Sequence, residues 1–185
     1  MKHAVIVHGF KGAPDTNWKP WLKRELEAGG FRVDVPTMPD TEHPDVSAWV
    51  DMLARTVGGA DAEEVYLIGH SLGCITILKY LESLGNQQKV KACVFVAGFS
   101  QRFDGYEGGH DSFFAKSLDW EKVKSHCDTF IAVHSKDDQN VGFDQLKIFE
   151  DNLGAKAILV DGMGHFGSAD GVFEVPLIKE VLVNI

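Results

Sequence analysis

The sequence has few cysteines, and their spacing forms no recognisable pattern. Cys74, Cys93 and Cys127 are odd in number and widely separated, and no CxxC pair occurs. A disulfide framework or a zinc site would need paired or closely spaced cysteines. We therefore expect three reduced thiols in the protein core.

The sequence also lacks long apolar segments and a basic patch. No run approaches the roughly 18 apolar residues of a transmembrane helix, and the apolar run near Met1 is too short for a signal peptide. The formal net charge of -9 would repel nucleic acid and anionic lipid surfaces. The densest basic cluster, Lys19, Lys23 and Arg24, fits the solvated face of a helix. We predict a cytoplasmic protein that binds neither nucleic acid nor membranes.

The length and composition are those of one folded domain. The chain has 185 residues, of which 44% are hydrophobic and 24% charged, so there is no reason to expect disorder. Domains mostly contain roughly 100 to 200 residues. We therefore predict a single domain over residues 1–185.

Five short apolar runs predict strands that are buried on both faces, as in a parallel sheet covered by helices. They are AVIVHG from Ala4, VYLIG from Val65, ACVFVAG from Ala92, TFIAVHS from Thr129 and AILVDG from Ala157. The segment FRVDVP at 31–36 differs, because Phe31, Val33 and Val35 alternate with polar residues. We expect it to form a half-exposed strand at the sheet edge.

Helical patterns lie between these runs. Apolar residues recur at three- and four-residue spacing over 18–26 and 46–57, the segment 72–84 is apolar almost all round, and a last helix begins near Pro176. Alternating strands and helices predict an α/β fold with a doubly wound, mostly parallel sheet and helices on both faces.

One long segment, residues 99–118, has no clear period. Its sequence is FSQRFDGYEGGHDSFFAKSL. Its glycines and phenylalanines are compatible with a lid or a pocket wall, and equally with an ordinary surface loop. We expect Phe113 and Phe114 to be exposed, either lining a pocket or meeting a partner.

The most informative short motif is GHSLG at 69–73, a G-x-S-x-G pattern. Chance alone supplies roughly one such match in eleven chains of this composition, so the context must decide. A nucleophile elbow requires a strand, a sharp turn and a helix, in that order. The strand over 65–68 and the helix over 72–84 meet this requirement, which favours Ser71 as a nucleophile.

A serine nucleophile needs a histidine base, and His165 is the best candidate among the eight histidines. It lies in a glycine-flanked loop directly after the last predicted strand. His70 lies inside the elbow, and we expect its side chain to point away from that of Ser71. The remaining candidates fit surface or structural positions: His3, His43, His110, His126 and His134.

The carboxylate that orients the histidine has two candidates, Asp137 and Asp138, just past the strand that ends at Val133. The order serine, aspartate, histidine along the chain is the order of α/β hydrolases. Each of the three segments follows a predicted parallel strand, and the carboxyl ends of such strands share one edge of the sheet. The sequence therefore predicts that the three segments meet there.

A fourth segment at the same edge, HGF at 8–10, follows the first predicted strand. An acyl-transfer site needs two backbone N–H donors for the oxyanion, one of them from the residue after the nucleophile. We predict Leu72 N–H and Phe10 N–H in this role. Gly9 would let the chain turn closely, and His8 would shape the turn by hydrogen bonding.

With these motifs the chain resembles the α/β-hydrolase superfamily, and within it the small serine hydrolases that lack a cap domain. Beyond HGF and GHSLGC, the likeness includes NWKPWLKREL from Asn17, SKDDQNVGF from Ser135 and GHF from Gly164, and it covers nearly the whole chain. It implies a catalytic triad and a general esterase-like activity. In the acidic loop of such enzymes an aspartate precedes a valine by three residues, which selects Asp138 over Asp137. Gly142 stands where the family usually has a proline.

The leading functional hypothesis is a hydrolase of small esters or thioesters that acts through an acyl-enzyme. Ser71 attacks a small-molecule acyl substrate, His165 transfers the proton and Asp138 orients the imidazole, with no metal or other cofactor. An amidase or peptidase with the same triad is the nearest alternative. A non-catalytic binding protein on a hydrolase fold, and a lyase or cofactor-free oxidase, are further alternatives. The sequence leaves the oligomeric state and the natural substrate open.

Overall fold

The computed structural model describes residues 1–103, 106 and 108–185, and a six-stranded parallel sheet forms its centre. The strand order is β2-β1-β3-β4-β5-β6. The strands are β1 (Lys2–Val7), β2 (Phe31–Asp34), β3 (Glu64–His70), β4 (Val90–Val96), β5 (Cys127–Ser135) and β6 (Lys156–Val160). The five apolar runs are therefore confirmed as strands, and the alternating segment is confirmed as an edge strand.

Six α-helices cover the two faces of the sheet within the described residues. They are α1 (Lys19–Ala28), α2 (Val46–Gly58), α3 (Leu72–Ser83), α4 (Trp120–Ser125), α5 (Asp144–Leu153) and α6 (Pro176–Val183). Helices α2, α3, α4 and α5 contribute to one hydrophobic core, whereas α1 and α6 contribute to the other. This arrangement confirms the doubly wound α/β fold, and no cap domain is present in the part of the chain that is described.

Strand β1 shows why the runs are apolar without alternation. Val5 and Val7 belong to the core beneath α2 and α3, while Ala4 and Ile6 belong to the core beneath α1 and α6. All four side chains are fully buried. Both faces of the strand are dry, so a polar residue there needs a partner inside the protein, as His3 has in Asp34.

The helix termini follow their sequence signals. The Asp45 carboxylate accepts a hydrogen bond from Ala48 N–H at 3.1 Å and caps α2, as its position before the apolar stripe indicates. The three cysteines are free and buried, which confirms the expectation of core thiols. None of the described helices is long and apolar enough to cross a membrane.

Two expectations about exposure were wrong. Lys19 is buried rather than solvated; it lies on the wall of a cleft that residues 9–12, 16–17 and 167–169 also line, and its Nζ donates to Thr16 Oγ1. Phe113 is fully buried, because the short 3₁₀ turn Asp111–Phe114 packs it edge-on against Trp49 at 5.9 Å between ring centroids. Phe114 is half-buried and packs against the same core.

Candidate active site

Ser71 stands at a sharp turn between β3 and α3. It has φ 53° and ψ -119°, a left-handed conformation that serine rarely adopts. Its N–H donates to Val96 O at 3.0 Å, which ties the turn to the end of β4. The strand, turn and helix therefore have the order and the strained backbone that a nucleophile elbow requires.

Close backbone packing makes glycine necessary on both sides of Ser71. A Cβ at Gly69 would lie 2.8 Å from Cys74 Cα, and a Cβ at Gly73 would overlap the carbonyl oxygen of Val7. Across the site, a Cβ at Gly9 would lie 2.9 Å from Ser71 Cβ. The contacts at Gly9 and Gly73 bring the end of β1 against the elbow, whereas the contact at Gly69 packs the end of β3 against the first turn of α3.

We expect Gly73→Ala to destabilise the protein by about 3 kcal/mol, because the added methyl group has to displace the main chain of β1. Gly58→Ala, in α2, is the matched control, since no atom lies within 4 Å of its added Cβ. That change should leave stability the same or raise it by up to about 1 kcal/mol. Urea unfolding of both variants measures the difference, and equal midpoints would show that the close approach at Gly73 is wrong.

Asp138 and His165 form a hydrogen-bonded pair at the same sheet edge. His165 Nδ1 lies 2.8 Å from Asp138 Oδ2, and the side chains of Asp138 and His165 are 0% and 17% exposed. Asp138 Oδ1 accepts the N–H groups of Asn140 at 2.8 Å and Val141 at 3.0 Å. These donors fix the carboxylate, so His165 Nδ1 carries the proton and its other ring nitrogen is left as an acceptor.

Asp137 has a different set of contacts and does not touch the His165 ring. Its Oδ1 accepts a hydrogen bond from the Ser135 hydroxyl and from the N–H groups of Gly162 at 3.1 Å and Gly164 at 3.2 Å. The hydroxyl, followed by the backbone N–H donors, lowers the pKa of Asp137. Of the two candidate carboxylates, the structure therefore brings Asp138 to His165. Asp137 instead joins the end of β5 to the loop that precedes His165.

Two further side chains hold the backbone of His165. Asp170 Oδ2 accepts from the N–H groups of His165 and Gly167, both at 3.0 Å. His70 Nε2 donates to His165 O at 2.8 Å, and the two imidazole centroids lie 5.2 Å apart. Burial lowers the pKa of His70 to about 3, with the neighbouring His165 acting in the same direction. His70 is therefore neutral, and it positions the loop that carries His165.

The sequence analysis assigned no contact to His70, although the alternation of residues along β3 indicates which face of the sheet its side chain is on. In β3 the alternate residues Tyr66 and Ile68 face the core beneath α1, and His70 continues that series. Its ring accordingly packs against Trp18, which precedes α1, at 5.8 Å between centroids. The partner His165 O lies 95 positions along the chain, which no local pattern indicates.

The predicted oxyanion donors lie beside Ser71. Within residues 1–103, 106 and 108–185, no hydrogen bond uses the N–H of Phe10 or of Leu72, and both residues line a cleft together with Ser71. His8 holds the turn before Phe10: its Nδ1 donates to Gly9 O at 2.9 Å, and its Nε2 accepts from Met38 N–H at 3.2 Å. Burial lowers the pKa of His8, and the ring is neutral because its Nε2 accepts a hydrogen bond. The turn thus has the hydrogen bonding that the sequence suggested.

A cleft of about 250 Å³ opens on one side of Ser71 and His165. We call it the aromatic cleft, because Phe10, Phe99, Phe103, Tyr106 and His110 line it. The segment 99–118 therefore contributes a pocket wall, although its residues Asp104, Gly105 and Glu107 lie outside the described residues.

His110, which the sequence assigned to a surface or structural position, lies in the wall of this cleft. Its ring lies 4.8 Å from that of Tyr106 and 5.5 Å from that of Phe10, between centroids, inside the wall of the aromatic cleft. Burial lowers its pKa. The aperiodic sequence around it carries no signal for this placement.

A second cleft, of about 290 Å³, opens on the other side of the elbow. We call it the lysine cleft, because Lys11 and Lys19 line it together with Ser71 and His165. Phe10, Ser71 and His165 belong to both clefts. The predicted nucleophile and base therefore lie where the two clefts meet.

The remaining histidines are structural or exposed, as expected. His3 pairs with Asp34 at 2.8 Å, His126 with Gln88 O at 2.7 Å and His134 with Gly98 O at 2.9 Å, while His43 is exposed. In the part of the chain that is described, no group of three or more histidine, cysteine, aspartate or glutamate side chains could hold a metal ion.

Comparison with known proteins gives the family. The model of the serine hydrolase family matches residues 4–184. YdeN of Bacillus subtilis is 31% identical over 183 residues, which cover 99% of this chain and 95% of YdeN. Its crystal structure matches with a TM-score of 0.92 at 30% identity, over 100% of this chain and 98% of that one.

Two further proteins are similar to this chain, one in sequence and one in structure. Serine hydrolase RBBP9 of Rattus norvegicus is 28% identical over 182 residues, which cover 97% of this chain and 95% of that protein. Est1E of Butyrivibrio proteoclasticus matches with a TM-score of 0.74 at 14% identity, over 99% of this chain and 87% of that one; this likeness concerns the fold alone. The resemblance drawn from the motifs is confirmed: the chain belongs to the serine hydrolase family, with an α/β-hydrolase fold.

Proposed function

We propose that this serine hydrolase cleaves small carboxylic esters or thioesters through an acyl-enzyme on Ser71. The observation that carries the proposal is the 2.8 Å contact between His165 Nδ1 and Asp138 Oδ2, at the edge where Ser71 stands in its left-handed turn. A base whose tautomer is fixed, beside a serine held out of the helix, is the arrangement that serine acyl transfer uses.

In the acylation step, Ser71 Oγ attacks the substrate carbonyl carbon. His165 Nε2 accepts the hydroxyl proton, and Asp138 stabilises the imidazolium that forms. The carbonyl oxygen becomes an oxyanion, and the N–H groups of Phe10 and Leu72 bind it. Each such donor typically contributes about 3 to 4 kcal/mol to the transition state.

His165 then returns the proton to the departing alcohol or thiol, and the carbon–oxygen or carbon–sulfur bond breaks. In deacylation, His165 takes a proton from a water molecule, and the resulting hydroxide attacks the acyl carbon. Collapse of the second oxyanion releases the carboxylic acid and restores the Ser71 hydroxyl. The cycle consumes one water and needs no other reactant.

The size and walls of the site favour small substrates. The aromatic cleft of about 250 Å³ offers ring faces to an apolar group, and apolar area of this kind contributes about 25 cal/mol per Å² removed from water. A long acyl chain exceeds this volume. We therefore place short acyl esters, or esters with one small ring, in this cleft.

The test combines covalent labelling with a substrate series. We expect a fluorophosphonate probe to form one adduct, on the peptide that contains Ser71, with labelling lost in urea-unfolded protein. We expect p-nitrophenyl acetate and butyrate to be hydrolysed and p-nitrophenyl laurate to be poor. Mass spectrometry and the release of p-nitrophenolate measure the two results.

The outcomes separate the parts of the proposal. Absence of an adduct on Ser71 in folded protein would reject the nucleophile. An adduct on Ser71 together with inactivity on every ester would reject the ester substrate while keeping the nucleophile. A preference for laurate would show that the cleft is deeper than its described walls.

A further inference from the structure

Lys19 is a buried cation that forms no ion pair within the described residues, although the charge of Asp15 acts on it. The residue is 1% exposed, yet its Nζ forms no ion pair with a carboxylate in the described part of the chain. Its hydrogen bond there goes to a neutral hydroxyl, Thr16 Oγ1, at 3.2 Å. Lysine is almost never fully buried unless it is paired, because an ammonium loses strong hydration when it leaves water. Two of the three ammonium donors are left for another group.

The position of Lys19 in α1 adds to this cost. It is the first residue of the helix, where the backbone N–H groups give the helix terminus a partial positive charge. The first turn contains no acidic residue, and no side chain of the described residues caps the helix. A cation is disfavoured at this end of a helix, whereas an anion bound there would be favoured by both the helix and the ammonium.

Lys19 lies close enough to the candidate active site for its charge to act on groups there. Lys19 lines the lysine cleft together with Ser71 and His165, and its charge contributes to the lowered pKa values of His8 and His70. The described walls of this cleft contain two lysines and no aspartate or glutamate. The cleft thus offers positive charge and backbone dipoles, and no carboxylate lines its described walls, although the charge of Asp15 acts on Lys19.

We propose that Lys19 binds a carboxylate of the substrate, so that this hydrolase prefers esters or thioesters that carry a carboxylate on the side of the scissile bond facing the lysine cleft. The inference rests on the proposed function of Ser71 and His165, and it names the substrate class of that site. The apolar part of the substrate occupies the aromatic cleft, and the carboxylate faces Lys19. A charged substrate would then be held at both ends across Ser71.

The main test compares matched pairs of esters by kcat/KM. On the acyl side, mono-p-nitrophenyl glutarate is paired with p-nitrophenyl pentanoate, which has the same chain length without the carboxylate. On the alcohol side, 4-acetoxybenzoate is paired with 4-acetoxybenzamide. We expect the charged member of one pair to be preferred by about tenfold or more, as for a charge-assisted hydrogen bond, and that pair identifies the side that faces Lys19.

Variants assign the preference to one lysine. In Lys19→Met the ratio of the charged to the neutral ester should fall to about one. Lys23→Met is the matched control on the same helix, because Lys23 Nζ donates to Val33 O, away from the cleft, and it should keep the wild-type ratio. A ratio unchanged in Lys19→Met, or lost in Lys11→Met and kept in Lys19→Met, would overturn the proposal. So would a wild-type ratio of one or less for both pairs.

The pH dependence of the wild-type ratio gives a second measurement that needs no variant. Burial lowers the pKa of Lys19 to about 8, and nearby Asp15 opposes this shift. The ammonium is lost as pH rises through that value, so the preference for the charged ester should decline above about pH 8. Of the other groups that face Lys19, His8 and His70 are neutral in this range. His165 acts on both esters and cancels in the ratio, while Lys11 is tested by its own variant. A ratio that is constant with pH contradicts the role of Lys19.

A binding measurement separates this inference from the proposed chemistry. If no ester is hydrolysed, the proposed function fails, and calorimetry on Ser71→Ala decides the role of Lys19. We expect mono-p-nitrophenyl glutarate or 4-acetoxybenzoate to bind about tenfold more tightly than its neutral partner, and the additional change Lys19→Met to remove the difference. Equal affinities within both pairs would reject the carboxylate site regardless of turnover.

Discussion

Replacing Ser71 by alanine should lower kcat/KM for p-nitrophenyl esters by about 10⁴-fold or more and should abolish the fluorophosphonate adduct. The hydroxyl oxygen is the atom that forms the acyl bond in the proposed mechanism, and no other group can replace it. Alanine keeps the Cβ and the turn between β3 and α3, so the loss reports chemistry rather than folding. Steady-state rates and intact-protein mass spectrometry measure both effects.

Ser125→Ala is a suitable control for this change. Ser125 is exposed at the end of α4, and within the described residues its hydroxyl bonds only to Lys122 O, at 2.7 Å. We expect this variant to keep wild-type kcat/KM and labelling. If Ser71→Ala kept more than about a tenth of the activity, the esterase reaction would belong to another residue or to a contaminant, and the proposed mechanism would be wrong.

Asp138→Asn should lower kcat by about 10⁴-fold with a smaller change in KM. In the wild-type protein, Asp138 Oδ2 accepts the Nδ1 proton of His165, and Oδ1 accepts hydrogen bonds from the Asn140 and Val141 N–H groups. An asparagine must keep its carbonyl oxygen toward those two donors, so its NH₂ group faces His165. The imidazole then takes the opposite tautomer, and its other nitrogen can no longer accept the Ser71 proton.

Asp137→Asn is the matched comparison, one residue away. Asp137 bonds to the N–H groups of Gly162 and Gly164 and to Ser135, and not to the imidazole. We expect a small fall in kcat and a lower Tm. Because the native pKa of Asp137 is lowered, its carboxylate stabilises the protein above the unfolded pKa and stops doing so as pH falls through the native value. The difference in Tm between the wild type and Asp137→Asn should therefore become smaller at acidic pH. A larger loss of kcat in Asp137→Asn than in Asp138→Asn would reverse the assignment.

The sheet could be predicted from sequence because burial on both faces leaves a signal in each strand taken alone. The positions of Ser71 and His165 could be predicted in the same way, since each directly follows such a strand and all parallel strands end at one edge. The choice of Asp138 over Asp137 depended on a family spacing. The structure supplies the physical difference, namely which carboxylate reaches the imidazole and which reaches the backbone.

Lys19, His70 and His110 show where local patterns were insufficient. Lys19 lies three residues before Leu22 and seven before Leu26, on the buried stripe of α1, so its position was partly visible. Its charge nevertheless favoured the prediction that the side chain is exposed to solvent, because burial of a cation is rare. The placement of His110 depends on a loop that packs against Phe10 from a distant part of the chain, and loop packing of this kind has no period to detect.

The backbone at Ser71 bears on how this family can lose its activity. Glycine adopts φ near 53° freely, whereas any residue with a side chain sacrifices roughly 1 to 2 kcal/mol there. Selection for folding alone would therefore favour glycine at this position, and under the proposed function selection for hydrolysis opposes it. A lineage released from that selection would gain stability when glycine replaces Ser71, as it would at Lys11, which also has a positive φ. Natural relatives with glycine at this position should therefore be stable, inactive descendants rather than unfolded ones.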